Sequence, residues 1–277
     1  AAPGVIAIFT GADLAEAKVG GLPCGWLIHS KDGTPMKEPA HPVLALGKVR
    51  HVGDQVALVV AETAWQAKDA AELIEVDYDE LPPVIDISGA DSAASSVHDD
   101  VPNNVCYDWG HGNKDAVDAA FKQAAKVSAL EFVNNRLIPN AMEPRAANAM
   151  YTKHDESYTL YVANQNPHVE RLLMSAFVLG LPESKVRVIA PDVGGGFGPK
   201  IMMFYPEELL LPWAAMRLNR PLKWTEDDSR DTRENAANSV AMLKQAGIKH
   251  VLVVTHGWHM KRSLRAFERA AGGEMHI

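Results

Sequence analysis

The most distinctive chemistry in this sequence lies in seven residues, Gly194-Gly195-Gly196-Phe197-Gly198-Pro199-Lys200. A run of glycines offers bare backbone N–H groups to an anion or cofactor, because glycine adopts unusual dihedrals and lets a ligand approach closely. The two common glycine motifs do not fit. A dinucleotide fingerprint counted from Gly194 needs glycine where Pro199 stands. A phosphate-binding P-loop needs Gly-Lys followed by Ser or Thr, whereas Pro199 precedes Lys200 and Ile201 follows it. These residues alone leave two readings open, a tight turn without a ligand and a cradle for an anion or cofactor.

The elements around the loop must position it. Residues 185–190 alternate as a strand does and lead into the glycines. A helix is expected from about Pro206, with a proline and two glutamates in its first turn. Glu207 and Glu208 then read as stabilisers of the helix dipole, and Pro212 as a kink. Upstream, residues 158–163 predict a strand and residues 169–179 a helix capped by Gly180. Near the start, Val5–Phe9 and Val56–Ala61 read as strands, Ala64–Ile74 as a helix and Glu75–Asp79 as an alternating strand. Together they predict a compact α/β domain ending near residue 86. Residues 87–114 read as a surface linker, 115–125 as a helix, and from Val127 the pattern turns to strands.

Composition narrows the function classes. The chain has 277 residues and a net charge of −8, so bulk charge offers nothing to nucleic acid or an anionic membrane. Two cysteines, Cys24 and Cys106, make no disulfide framework and no zinc or iron–sulfur site. Each reads as a small buried apolar residue, and the chain as cytoplasmic. No apolar run approaches the ~20 residues of a membrane span. The first residues enter a strand without a lead-in, so the chain is expected to begin inside a domain.

The composition shifts near Asp228. From there to the end, eight Lys/Arg stand against five Asp/Glu, the reverse of the acidic balance before it. A helix over 240–245, a strand over 251–254 and a helix over 259–270 are expected there.

Several motifs resemble the large, molybdopterin-binding subunit of the xanthine dehydrogenase, aldehyde oxidase and carbon monoxide dehydrogenase family. They are the glycine loop, Lys185-Val186-Arg187-Val188, Tyr205-Pro206-Glu207-Glu208, residues 220–227, Met142-Glu143-Pro144-Arg145-Ala146 and Asn164-Gln165-Asn166-Pro167-His168. Further upstream, residues 47–54, Ala61-Glu62-Thr63, Val76-Asp77-Tyr78 and Leu81-Pro82 resemble the family's hammerhead domain. The resemblance implies an α+β (mixed α/β) chain: a hammerhead-like domain over 1–86, a linker over 87–126 and a partial first cofactor domain over 127–227. It implies a molybdenum hydroxylase acting on aldehydes, N-heterocycles or carbon monoxide. The cofactor would be molybdopterin, with the cytosine dinucleotide form as one option, and the molybdenum would be held by the pterin dithiolene. Iron–sulfur clusters and FAD would lie only on partners, an iron–sulfur small subunit and an FAD-binding medium subunit. Gly195, Gly196, Phe197 and Gly198 would hold the pterin side, with Phe197 close to the metal, and Gln165 would hydrogen-bond a molybdenum ligand. The family's catalytic glutamate lies beyond the matching region, so the isolated chain is expected to be inactive.

Residues 228–277 resemble a different group, the YdcF/SanA-like family. Ser229, Glu234, Asn235, His256 and His259 are the polar residues its pattern would gather near a site. Two alternatives therefore stand beside the molybdenum hydroxylase: a catalytically inert chimeric chain joined near Asp227-Asp228, and a YdcF-like α/β binding protein.

Overall fold

The computed structural model describes residues 2–132, 134, 141–201 and 205–226. The chain divides into two compact units, Ala1–Trp224 and Thr225–Ile277. The elements expected after Asp228, with Ser229, Glu234, Asn235, His256 and His259, lie outside the described residues.

The amino-terminal part is built on two antiparallel strands, β1 (Val5–Thr10) and β2 (Ala57–Ala61), in register Ile8 opposite Val59. β1 runs directly into a short helix, α1 (Gly11–Glu16). The Asp13 carboxylate secures that junction by accepting from the Thr10 N–H (2.7 Å) and hydroxyl (2.8 Å). β2 leads into α2 (Ala64–Glu72), where the Thr63 hydroxyl accepts from the Gln66 N–H at 3.3 Å. The strand expected over 75–79 is absent. Those residues are irregular, and Val76 and Tyr78 are exposed. Alternation supplies a face, but a strand also needs a hydrogen-bonded neighbour, and neither β1 nor β2 takes this segment.

After α3 (Lys114–Gln123) the described residues up to Phe132 are also irregular, with Val127, Leu130 and Phe132 exposed. Strands therefore begin later than the sequence suggests. They are β3 (Ala146–Thr152), β4 (Ser157–Val162), β5 (Val186–Ile189) and β6 (Leu222–Thr225), in the sheet order β5-β4-β3-β6. β3 and β4 form an antiparallel hairpin, with Ala149 opposite Leu160. β4 and β5 are parallel and need a crossover, which α4 (Pro167–Leu173) and a wider helical turn to Leu179 provide. Gly180 ends that crossover in the left-handed conformation.

One face of the sheet, with Ala147, Ala149, Leu160 and Val162 buried, packs on α5 (Pro206–Leu218). Every residue of α5 from Pro206 to Ala215 is buried, as expected of a helix that is apolar nearly all round. Pro212 is accommodated inside it without ending it. The same core takes in the amino-terminal part. Leu14, Val43 and Leu44 join the cluster containing Leu209, Leu210 and Leu211. The Phe9 ring meets Trp213 edge-on at 4.9 Å. Cys24 and Cys106 are both free and half-buried rather than fully buried.

Candidate cofactor site

Strand direction gathers the site. β4 and β5 are parallel, so their carboxyl ends lie side by side, and β3, antiparallel to β4, begins at that same end. Three segments leave or enter there: Glu143 just before β3, Asn164-Gln165-Asn166 just after β4, and the glycine loop after β5. Ligands of open α/β sheets bind at such carboxyl ends.

The segment after β4 is braced by its own side chains. Buried Asn164 accepts the Asn166 N–H on Oδ1 at 2.5 Å. The Gln165 N–H donates to the Lys200 carbonyl at 2.7 Å, tying this turn to the far end of the glycine loop. The Gln165 side chain then lies over Gly196. A Cβ on Gly196 would sit 1.8 Å from Gln165 Oε1, so only glycine fits while that amide keeps its place. Gln165 is exposed, and among the described residues its side chain makes no hydrogen bond.

The loop has an uncommon backbone. Gly195 (φ 101°), Phe197 (φ 50°) and Gly198 (φ 109°) all have positive φ. Phe197 is a non-glycine residue in the left-handed region, and it is 72% exposed. Among the described residues no acceptor engages the N–H of Gly195, Gly196, Phe197 or Gly198. Successive backbone amides without internal partners, in a glycine-rich turn of mixed hand, are groups that can bind an anionic or polar ligand.

The ends of the loop are closed by a pair that sequence reasoning did not single out. Glu143 Oε2 accepts from the Gly194 N–H at 2.7 Å and from Lys200 Nζ at 3.0 Å. Lys200 Nζ also donates to the Glu143 carbonyl at 2.8 Å, and its side chain is 2% exposed. The Gly194 hydrogen bond, then Lys200, holds the Glu143 carboxyl below the usual carboxylate range against the opposing effect of burial. A signal existed in the sequence. A lysine beside a glycine loop needs a counter-ion if buried, but the partner lies 57 residues away, beyond the reach of any spacing rule.

A second group of carboxylates surrounds the start of α5. Glu208 Oε2 accepts from the Tyr205 N–H at 3.1 Å, a reciprocal cap. Glu207 accepts from Gln55 Nε2 at 3.1 Å and lies 3.6 Å from Arg145. The Arg145 guanidinium lies 3.7 Å from the Tyr205 ring and 5.4 Å from that of Trp224. The two glutamates therefore do more than complement a helix dipole. Behind them, Glu170 on α4 is buried with neither carboxylate oxygen hydrogen-bonded among the described residues. Burial first, and then the Glu208 charge, push its carboxyl well above the usual range.

Two concavities lie elsewhere. One of about 410 Å³ includes Met150, Tyr161 and Lys223, and one of about 240 Å³ includes His41, Arg50, His51 and His98. Neither includes a glycine-loop residue.

Residues 97–245 match the molybdopterin cofactor-binding domain, and residues 1–82 match the a/b hammerhead domain of aldehyde oxidase and xanthine dehydrogenase. The chain belongs to the molybdenum hydroxylase large-subunit family. It is 33% identical to the nicotine 6-hydroxylase large subunit of Paenarthrobacter nicotinovorans over 96% of its own length and 33% of the relative's. It is 34% identical to the carbon monoxide dehydrogenase large chain of Hydrogenophaga pseudoflava, covering 82% of this chain and 28% of that one. Among solved structures, quinoline 2-oxidoreductase from Pseudomonas putida 86 superposes with a TM-score of 0.69 at 34% identity, covering 84% of this chain and 28% of that one. This member of the family thus spans about a third of the length of the curated relatives it matches. Its mixed α+β architecture is a hammerhead domain followed by a partial cofactor-binding domain. The cofactor-domain match continues past the junction expected at Asp227-Asp228, and nothing in these matches supports a YdcF/SanA-like segment. Among the described residues no helix is long and apolar enough to cross a membrane.

Proposed function

We propose that this chain holds the molybdenum cofactor at the glycine loop, as part of a hydroxylase acting on an aldehyde, an N-heterocycle or carbon monoxide. The observation that carries this reading is the loop itself: four successive backbone N–H groups without partners among the described residues, with the Gln165 amide, also without one, packed against Gly196. These groups fit a large anionic cofactor rich in acceptors. Gly195, Gly196, Phe197 and Gly198 would hold its pterin side through their amides. Gln165 would present its amide to a ligand of the molybdenum. Phe197, projecting from the loop, would exclude water from one side of the bound group. When bound, the cofactor supplies oxygen transfer and two-electron oxidation.

The relatives' names support the wider assembly. They include large chains of carbon monoxide dehydrogenase and a subunit gamma of a 6-hydroxypseudooxynicotine dehydrogenase complex. On this reading, electrons leave through iron–sulfur and FAD-binding partner subunits, and the cofactor is molybdopterin or its cytosine dinucleotide form. The test is molybdenum and pterin analysis of the chain purified after co-expression with cofactor-assembly proteins. Stoichiometric metal and pterin are expected, and absence of both would overturn the reading.

A further inference from the structure

We propose that Glu143 and Lys200 are positioning residues, a two-armed clamp that fixes the shape of the glycine cradle without touching the cofactor; this rests on the cofactor reading above. Three observations point to it. First, the loop needs restraint. Phe197 occupies a left-handed conformation that is unfavourable for any side-chain-bearing residue, and such a conformation persists only when its surroundings impose it. Second, the restraint acts at both ends at once. The Gly194 N–H and Lys200 Nζ converge on the same oxygen, Glu143 Oε2, while the Glu143 N–H returns a bond to the Gly194 carbonyl at 3.2 Å. A single carboxylate thus sets the span between residues 194 and 200. Third, the clamp reaches Gln165. The Lys200 carbonyl accepts the Gln165 N–H, so moving Lys200 moves the amide that lies over Gly196.

The chemistry suits positioning rather than ligation. Lys200 is buried and directs its ammonium inward to Glu143, leaving none of its charge at the loop surface. Glu143 carries negative charge and would repel an anionic ligand if it faced the cradle. One of its oxygens, Oε2, takes both the Gly194 N–H and the Lys200 ammonium, and the ammonium offsets the carboxylate charge.

The test uses three variants of the chain, Glu143→Ala, Glu143→Gln and Lys200→Met, with two readouts. The first is amide hydrogen exchange in cofactor-free protein at Gly194, Gln165 and Ile201, with Leu160 and Val162 of β4 as internal references. Glu143→Ala and Lys200→Met should accelerate exchange at Gly194 and Gln165 about tenfold or more and leave β4 unchanged. Glu143→Gln should fall between them and wild type, because its amide oxygen still accepts the Gly194 N–H but loses the charge facing Lys200. The second readout is molybdenum and pterin per chain, which should fall in the same order. Loop exchange within about twofold of wild type in both severe variants would overturn the clamp. So would acceleration shared equally by β4 in the mild Glu143→Gln variant, or cofactor retention that ignores the loosened loop. A wild-type chain that binds no cofactor would sink the functional reading alone, since the exchange experiment still decides whether the clamp exists.

Discussion

Replacing Glu170 by glutamine should stabilise the fold, and the gain should grow with pH. Glu170 is 2% exposed, on α4, and neither of its oxygens is hydrogen-bonded among the described residues. Burial, with Glu208 adding to it, raises its carboxyl well above the ordinary value of 4.5. The folded protein therefore keeps a proton that the unfolded chain releases near that ordinary value. As pH rises above it, unfolding releases the proton and stability falls, until the folded carboxyl itself ionises. Below the ordinary value both states are protonated and the penalty vanishes. Glutamine has nearly the same shape and cannot ionise, so it escapes the pH-dependent part. Glutamine leaves a buried polar group unpaired as well, so that cost, about 1–3 kcal/mol, is common to both proteins and largely cancels. Each tenfold difference in proton affinity between the folded and unfolded states is worth about 1.4 kcal/mol, or roughly 3–6 °C at this chain length, so the variant should melt at least about 3 °C higher at pH 8. Near pH 4 the two proteins should melt together. Thermal unfolding followed by circular dichroism across this range is the assay, with Glu170→Leu as a second variant lacking the polar group altogether. A glutamine variant less stable than wild type at pH 8, or a gain independent of pH, would refute the reasoning.

Other expectations follow from the same geometry. Gly196→Ala places a methyl 1.8 Å from Gln165 Oε1 and should displace that amide, lowering molybdenum retention with little change in melting temperature. At Gly198 a Cβ meets open space, so Gly198→Ala should act through its positive φ alone, costing of order 1 kcal/mol in denaturant titration. Arg145→Ala removes the partner of Glu207 and the cation beside Tyr205 and Trp224, and should cost about 3–5 kcal/mol in the same measurement. Glu143 is held below its ordinary value of 4.5, so its contribution is present above that pH and lost as pH falls through the lower folded value. Loop exchange at Gly194, corrected for intrinsic rate, should therefore hold steady down to about pH 4.5 and rise in stronger acid.

Much of this was legible in the sequence where local rules suffice. The helix begins at Pro206, Gly180 closes the crossover after β4, and the glycines follow a strand, all readable from residue type and period. Legibility failed where a second segment decides. Residues 75–79 alternate well yet find no neighbour to pair with. Glu207 and Glu208 looked like dipole partners because Gln55 and Arg145, which meet Glu207, are far away in sequence. Gln165 and the glycines were recognisable as motifs. That Glu143 and Lys200 hold them together depends on β3 starting where β4 and β5 end, which is a property of the sheet rather than of any window.

The packing of Phe9 on Trp213, and of Leu14, Val43 and Leu44 beside Leu209 to Leu211, also bears on how such chains can be rearranged. The hammerhead is not a portable module. Grafting it from a relative would bring a foreign surface against α5, whose first turn abuts Arg145, two residues from Glu143. A shuffled enzyme would therefore need α5 and its hammerhead exchanged together. Sequence drift at Val43 or Leu44 should be matched by compensating drift in α5 rather than in the loops nearest the chemistry.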